Sequence, residues 1–269
     1  MVQMNSGPDR DANVEKACAR IAEAAEHKPD LVVIPEFFNI EYAFRRVSYD
    51  VFQLAEPEDG PSLTRVRQAA HDHGVNLIAT LYTKEGPGFY HDTAFVIRPD
   101  GEIAGKFEKM HPAGPTISGL ERLYCRRGSG FRVFDICGWK VGISICYDYR
   151  FPETARCLAL LGAELIVMPF ASPYTAIWPK SIPTRAWENG VYAATCNKVG
   201  AEGGADGAVE FPGDSMIADP NSDIIAQAGG EETIVVAELD RGLVDSARDR
   251  NGMFRDRRPE AYGAITDSS

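Results

Sequence analysis

Cys146 stands at the end of an apolar, β-rich run and is followed by polar residues and by Pro152, which opens an amphipathic stretch. A strand that delivers a thiol to a sharp strand-to-helix turn presents a nucleophile at the rim of a sheet. The alternative is a small buried hydrophobe, because free cysteine is among the most buried residue types. Alone, Cys146 favours that alternative; two other positions favour the nucleophile.

Two further predicted strands also end in a reactive group. The apolar run 31–34 is terminated by Pro35 and the carboxylate of Glu36, and the run 102–109 ends in Lys109. A carboxylate or an ammonium at a strand end is often simply solvated. Three strands that end in Glu, Lys and Cys nevertheless predict convergence at one edge of a sheet, where ligands and catalytic groups collect in α/β folds.

At these residues the chain resembles the nitrilase superfamily, the carbon–nitrogen hydrolases. The resemblance rests first on Pro35-Glu36-Phe37-Phe38, on Lys109-x-His111 and on the Cys-Tyr-Asp-x-Arg-Phe-Pro-Glu element 146–153. It covers nearly the whole chain, with further matches at 3–5, 185–189, 211–220 and 257–262. One such motif would be weak evidence, whereas several in the family's order are strong evidence.

The resemblance implies an α/β fold, a four-layer α-β-β-α sandwich in a single domain that spans residues 1–269. The alternation of predicted helices and strands, with a late antiparallel run, also favours an α/β layered sandwich. The glycine-rich segment 200–213 is predicted to be a loop and not a phosphate cradle. The predicted helices are 11–26, a helix that Ser62 caps and that ends near Gly74, 152–162 and 179–189. The predicted strands are 31–36, 75–82, 93–98, 102–108, 131–135, 139–146, 164–168, 190–197, 214–219, 223–227 and 232–238.

The resemblance further implies a Glu-Lys-Cys triad. Cys146 would attack a carbonyl carbon, and Glu36 would carry the thiol proton to the departing nitrogen. Lys109 would stabilise the oxyanion together with the backbone N–H of Tyr147, and its charge would lower the pKa of the thiol. Glu121 matches the family's second glutamate, which would hold Lys109 and the substrate; a solvated surface residue is the alternative.

Other residues are weaker candidates for substrate contact. Tyr42, Trp178 and the segment 170–172 are candidates to line a pocket, with core packing as the equal alternative. Arg150 is a candidate to bind the substrate or the oxyanion, although pairing with Asp148 would instead make both residues scaffolding. Two departures from the family pattern are noted. Arg127 stands where the family usually has proline, and Glu41 stands where it often has glycine, so that an added carboxylate either favours a cationic substrate or points outward.

The composition, with 44% hydrophobic and 25% charged residues, is that of a globular protein. Its 269 residues carry a net charge of −11, which argues against a nucleic-acid or anionic-membrane surface. The sequence has no run of about 18 apolar residues and no visible signal peptide, and the very short first strand leaves open a start upstream of Met1. Six cysteines without a Cys-x-x-Cys pair predict neither disulfides nor a zinc site, and the expected location is cytoplasmic.

The leading hypothesis is a cysteine-dependent amidase or N-carbamoyl-amine hydrolase that uses no cofactor and no metal. The alternatives are a nitrilase that acts on a nitrile and a non-catalytic, nitrilase-like interaction protein. The family implies at least a homodimer, formed through the helix after the nucleophile and a C-terminal tail at about 245–269. Apolar residues in the helix, Ala155, Leu158, Ala159 and Leu161, are consistent with a partner surface.

Overall fold

The structure is a computed structural model that describes residues 1–115, 119–173, 177–203 and 208–267. The helices are α1 (Arg10–Ala25), α2 (Pro61–His73), α3 (Glu121–Tyr124), α4 (Pro152–Leu160), α5 (Trp178–Asn189), α6 (Arg241–Asn251) and α7 (Gly263–Thr266). The strands are β1 (Val2–Gln3), β2 (Leu31–Glu36), β3 (Asn76–Gly86), β4 (Phe89–Ile97), β5 (Ile103–Glu108), β6 (Val133–Ile136), β7 (Trp139–Ile143), β8 (Leu165–Pro169), β9 (Tyr192–Cys196), β10 (Val199–Glu202), β11 (Val209–Pro212), β12 (Met216–Ala218), β13 (Ile224–Gln227) and β14 (Thr233–Ile234).

Two mixed sheets form the centre of the molecule. The smaller sheet has the order β2-β3-β4-β5, and the larger has the order β13-β12-β9-β8-β7-β6. In the smaller sheet β2 and β3 are parallel, whereas β4 is antiparallel to both β3 and β5. Strands β2 and β5 therefore run in the same direction, and their carboxyl ends lie at one edge. The amino-terminal part of β4 lies at that same edge.

The sheets pack face to face between two layers of helices. Aliphatic side chains of the smaller sheet, such as Val33 and Val96, share a core with Val141, Ile143 and Ile166 of the larger sheet. A second core, which contains side chains of α1, α2 and β2, covers the outer face of the smaller sheet. Helices α4 and α5 contribute to the core on the side of the larger sheet. The predicted four-layer α-β-β-α arrangement is confirmed.

Several predicted elements differ in the structure. Gly60 is the N-cap of α2 and Pro61 its first residue, so the capping prediction for Ser62 is wrong; the buried Ser62 hydroxyl donates to Glu56 at 2.7 Å instead. The segment 200–213 is not all loop, because β10 and β11 pair antiparallel there, although residues 204–207 lie outside the described residues. The long strand predicted at 232–238 is reduced to β14, which pairs with β1.

No helix in the described part of the chain combines the length and the apolar character that crossing a bilayer requires.

Candidate active site

The ends of three strands bring the predicted triad together. Glu36 is the last residue of β2, and Lys109 directly follows β5. Cys146 begins a tight 3-10 turn, 146–150, just after β7, and its φ of 42° is unusual for a residue with a side chain. Such a strained conformation lifts a side chain out of the strand direction, as expected for a nucleophile elbow. The predicted sharp turn is therefore present, although the strand itself ends at Ile143.

Asp148 fixes the turn that carries Cys146. Its carboxylate accepts the backbone N–H of Ile145 at 3.1 Å and that of His111 at 2.8 Å, and the His111 ring Nδ1 lies 2.7 Å from it. The His111 ring stacks on Phe151 at a centroid distance of 3.8 Å. Asp148 thus acts as scaffolding, and in these hydrogen bonds its partner is His111 and not the predicted Arg150.

Lys109 is the centre of a fully buried charge cluster. Its Nζ lies 2.6 Å from Oε1 of Glu36, 2.7 Å from Oε2 of Glu121 and 3.2 Å from Oδ2 of Asp92. Burial by itself lowers the pKa of the ammonium, but the three carboxyl groups outweigh it and raise the Lys109 pKa well above its usual value. Lys109 is therefore a permanent cation at neutral pH, which an oxyanion stabiliser must be.

Glu36 and Glu121 are each fixed by further donors. The second oxygen of Glu36 accepts the backbone N–H of Ala171 at 2.6 Å. Glu121 accepts the backbone N–H of Ala113 at 2.7 Å and the hydroxyl of Tyr42 at 2.9 Å. Glu121 is 1% exposed, so the alternative of a solvated surface residue is excluded. Both carboxylates are held in fixed positions that a freely solvated side chain would not keep.

Cys146 carries a thiol whose pKa is raised well above its ordinary value. Burial is the main cause, the charge of Glu36 adds to it, and Lys109 acts in the opposite direction without cancelling them. As expected, the charge of Lys109 by itself lowers the pKa of the thiol. The net pKa of Cys146 is nevertheless raised, because burial and Glu36 outweigh that contribution. At neutral pH the sulfur keeps its proton, so a base must remove it before the sulfur can attack.

A small cavity of about 30 Å³ opens beside Cys146. Arg150 contributes to its wall, and its guanidinium lies 5.6 Å from the ring of Tyr147 and 5.9 Å from that of Tyr149. The residues that line the cavity are Tyr42, Ala113, Glu121, Cys146, Tyr147, Tyr149, Arg150, Ala171, Ser172 and Pro173. The wall thus combines aromatic rings with Arg150 and with Glu121, whose carboxylate contacts Lys109.

Trp178 and Glu41, two residues considered for substrate contact, do not line this cavity. The indole of Trp178 is completely buried and stacks on Phe170 at 4.9 Å, so the core-packing alternative describes both rings. Glu41 accepts the backbone N–H of Gly203 at 3.2 Å and is not part of the cavity wall. The extra carboxylate therefore fastens one loop to another.

A larger cavity of about 520 Å³ lies at the other ends of the strands. Its wall is mainly aliphatic and includes Leu31, Val141 and Leu165, which stand near the beginnings of β2, β7 and β8. None of the triad residues contributes to it, so the candidate chemistry belongs to the smaller cavity.

The sequence reasoning missed two parts of the site. Asp92 lies against Lys109 because β4 begins before the predicted start at Thr93; the signal was an acidic residue directly before an apolar strand. Behind the cavity, a buried ion pair joins Lys198 to Glu202 at 2.9 Å, and Glu202 accepts the backbone N–H of Tyr42. No local sequence pattern predicts that pair.

Among the residues that the structure describes, two groups of side chains have the spacing of metal ligands, but each already surrounds an ammonium. The first is Glu36, Asp92 and Glu121 around Lys109. The second is Glu85, His91 and Glu108, where the ammonium of Lys106 lies 2.7 Å from Glu85 and 3.2 Å from Glu108. We assign a metal to neither.

Comparison with known proteins agrees with this geometry. The family model for carbon-nitrogen hydrolases matches residues 1–249. A protein named nitrilase from Pyrococcus abyssi is 39% identical, covering 97% of each chain, and an omega-amidase from Xenopus tropicalis is 33% identical, covering 97% of this chain and 95% of its own. An amidase structure from Nesterenkonia superposes with a TM-score of 0.84 at 27% identity, covering 98% of this chain and 94% of that one.

That Nesterenkonia structure, of a glutamate-to-glutamine variant, shows the acetamide moiety of fluoroacetamide added covalently at its active-site cysteine. The family match extends over most of the chain and includes all three strand ends described above. The protein is therefore an enzyme of the carbon–nitrogen hydrolase family, within the nitrilase superfamily.

Proposed function

We propose that the enzyme hydrolyses the C–N bond of a small amide through a thioester between the substrate's acyl group and Cys146. The observation that carries this proposal is the contact of Lys109 with both Glu36 and Glu121 in a buried cluster beside the thiol. A base, a permanent cation and a nucleophile are the minimum set for cleaving an unactivated amide.

The reaction proceeds in two halves. In the first, the sulfur of Cys146 attacks the carbonyl carbon while Glu36 takes the thiol proton; the C–N bond then breaks and Glu36 passes that proton to the leaving nitrogen. In the second, a water attacks the thioester and gives its proton to Glu36. The C–S bond breaks, the acid leaves, and the proton returns to the sulfur.

The negative charge that develops on the carbonyl oxygen in each half needs a donor that is already in place. Lys109 supplies a buried ammonium, and the backbone N–H of Tyr147, directly after the nucleophile, supplies a second donor. Glu121 accepts a second hydrogen bond from the ammonium of Lys109, and the hydroxyl of Tyr42 donates to Glu121 in turn. Glu121 therefore keeps the cation aimed at the oxyanion, as the family resemblance implies.

The cavity wall favours an acyl chain that carries a carboxylate. Arg150 is one of the residues that line the cavity, and guanidinium groups bind carboxylates in a planar, two-point contact. Glu41, the carboxylate that would attract a cationic substrate, does not line this cavity, and this too favours an anionic acyl chain. An N-carbamoyl compound or a nitrile remains the alternative substrate, since the same triad suits all three.

We further propose that the enzyme is a homodimer and that it is located in the cytoplasm. Three of the four apolar residues expected to face a partner, Ala155, Leu158 and Ala159, are buried within the chain, whereas Leu161 is 56% exposed. Trp187, on the neighbouring helix α5, is 47% exposed, and we place a twofold contact of a homodimer on this surface.

All six cysteines are free, which supports a reducing, cytoplasmic location.

Ammonia release tests the proposed reaction. Wild-type protein is assayed with short amides that carry a terminal carboxylate, with matched neutral amides, with N-carbamoyl compounds and with nitriles. We expect the fastest release from the carboxylate-bearing amides, and Arg150→Leu to raise KM for these more than for the neutral ones. Turnover of nitriles alone would replace the amidase proposal, and the absence of ammonia release from every amide would overturn it.

A further inference from the structure

Asp92 is a fourth acidic or basic group in the triad's cluster, and the mechanism above does not use it. It stands on β4, is fully buried, and places Oδ2 3.2 Å from the ammonium of Lys109. Its backbone carbonyl accepts the N–H of Lys109 at 2.9 Å. A carboxyl oxygen of Asp92 also lies within 4.8 Å of a carboxyl oxygen of Glu36. Asp92 thus contacts the oxyanion cation and lies next to the general base.

The charges of this cluster do not balance if every carboxyl group is ionised. One ammonium, that of Lys109, faces the carboxyl groups of Glu36, Asp92 and Glu121, which would leave a net charge of −2 (one positive and three negative) in a buried site. Like charges at this separation and in this environment are strongly unfavourable, and a shared proton relieves them. The cluster therefore holds at least one proton on a carboxyl group.

Hydrogen bonding identifies the group that holds the proton. Glu36 accepts from Lys109 and Ala171, and Glu121 accepts from Lys109, from Tyr42 and from a backbone N–H. Neither side-chain oxygen of Asp92 accepts a hydrogen bond from any residue that the structure describes. A carboxylate that receives several donors is stabilised as the anion, whereas one that receives none is not.

The other groups that face Asp92 do not supply a second cation. Tyr82 stands directly opposite on β3, and Cys125 follows α3; burial raises the pKa of both, so both are neutral. Burial likewise raises the pKa of Asp92 well above its usual value; Lys109 opposes this shift, and the charges of Glu36 and Glu121 reinforce it.

We infer that Asp92 is protonated in the resting enzyme and donates its hydroxyl to Glu36, so that it positions the general base as a carboxylate. The assignment of Glu36 as the general base rests on the proposed function, whereas the protonation of Asp92 does not. Asp92 does not line the cavity beside Cys146, so we assign it as a positioning residue. Protonation of Asp92 removes one negative charge from the cluster and gives Glu36 a third hydrogen-bond donor.

Infrared spectroscopy of the free enzyme tests the protonation directly and needs no substrate. Wild-type protein at neutral pH is compared with Asp92→Asn, which replaces the carboxyl group by an amide of similar shape. We expect a protonated-carboxyl band in the wild type that disappears in Asp92→Asn and persists in Glu56→Gln. Glu56 is a matched control because it is a buried carboxylate paired with Arg10, away from the site. A spectrum that Asp92→Asn leaves unchanged would overturn the inference.

The pH dependence of kcat/KM tests the donation to Glu36. If Asp92 is a neutral donor, Asp92→Leu removes it and the midpoint of the acid limb rises by about one pH unit, while Asp92→Asn, whose amide also donates, returns the midpoint toward the wild-type value. If Asp92 is ionised, both variants remove a negative charge and both midpoints fall. That fall, or an unchanged midpoint in Asp92→Leu, would contradict the inference.

A failure of the proposed function can be distinguished from a failure of the inference about Asp92. If no substrate is turned over, the proposed function fails, yet the infrared band still reports Asp92. The rate at which iodoacetamide alkylates Cys146 then replaces kcat/KM as the pH readout, since it also depends on the ionisation of the cluster. Its midpoint should rise in Asp92→Leu if Asp92 is neutral and fall if Asp92 is ionised.

Discussion

The ammonium of Lys109 lies 2.6 Å from Oε1 of Glu36, and both side chains are completely buried. The two residues are 73 positions apart in the chain and meet because β2 and β5 run in the same direction in one sheet. Replacing a buried ion pair by apolar residues is often neutral or even stabilising, so such a pair is weak evidence for a stability role. The geometry is better explained by catalysis, in which a fixed cation and a fixed base act on one substrate.

Removing the cation should damage both activity and stability. Lys109→Met leaves two or more buried carboxyl groups without their partner, which costs about 3 kcal/mol or more in the free energy of unfolding. It should also lower kcat by roughly a hundredfold or more, because the oxyanion loses a preorganised donor. Urea denaturation and steady-state kinetics measure the two effects.

Lys106→Met is the matched control for that variant. Its ammonium also contacts three carboxylates, from Glu58, Glu85 and Glu108, but its side chain is 31% exposed. Water can replace the lost partner, so the unfolding free energy should change by about 1 kcal/mol or less. Equal losses in the two variants would show that burial of Lys109 has no special role.

Replacing the general base should make the sulfur easier to alkylate and at the same time reduce turnover. The charge of Glu36 raises the pKa of Cys146, so Glu36→Gln should lower that pKa, and alkylation by iodoacetamide should reach its midpoint at a lower pH than in the wild type. Turnover should nevertheless fall by roughly a hundredfold or more, because no group remains to carry the proton. A midpoint that moves to higher pH would contradict the assigned contact.

The hydroxyl of Tyr42 should matter through Glu121. Tyr42→Phe removes a 2.9 Å hydrogen bond to that carboxylate, and hydrogen bonds to charged groups contribute about 1.5–3 kcal/mol. We expect kcat/KM to fall by about tenfold or more. Tyr192→Phe is the control, since its buried hydroxyl contacts Asp240 far from the cavity and its loss should leave kcat/KM unchanged.

The proposed homodimer can be tested by its mass. Multi-angle light scattering of the wild type should give about twice the chain mass of 29.4 kDa. Leu161→Asp should shift the population toward the monomer, because it places a charge in an apolar contact. Ile225→Asp, at an exposed position on β13, should leave the dimer intact. A wild-type protein that is monomeric at micromolar concentration would contradict the proposal.

The sequence predicted those parts of the site that follow from local pattern. Apolar strands that end in Glu36, Lys109 and Cys146 are visible as short runs with a terminal polar residue, and proline at 152 marks the helix after the turn. The layered fold followed from the alternation of elements and from the resemblance. The strand limits were less accurate, since tertiary pairing decides where β7 and β14 end.

The remaining parts of the site depend on pairing between distant segments. Asp92 reaches Lys109 only because β4 is antiparallel to β5, a relation that no local pattern contains. The segment that follows β8 supplies the Ala171 N–H to Glu36 across 135 positions. Conversely, Trp178 was an attractive pocket residue by type, but its ring is used to pack against Phe170.

Mass spectrometry of the trapped enzyme is the most direct test of the central claim, that Cys146 forms the acyl-enzyme. Wild-type protein is acid-quenched during turnover of a slow amide and digested. We expect the acyl mass on the peptide that contains Cys146, the same adduct in Cys18→Ala, and neither adduct nor ammonia release in Cys146→Ala. An acyl group on another residue, or turnover retained in Cys146→Ala, would contradict the account.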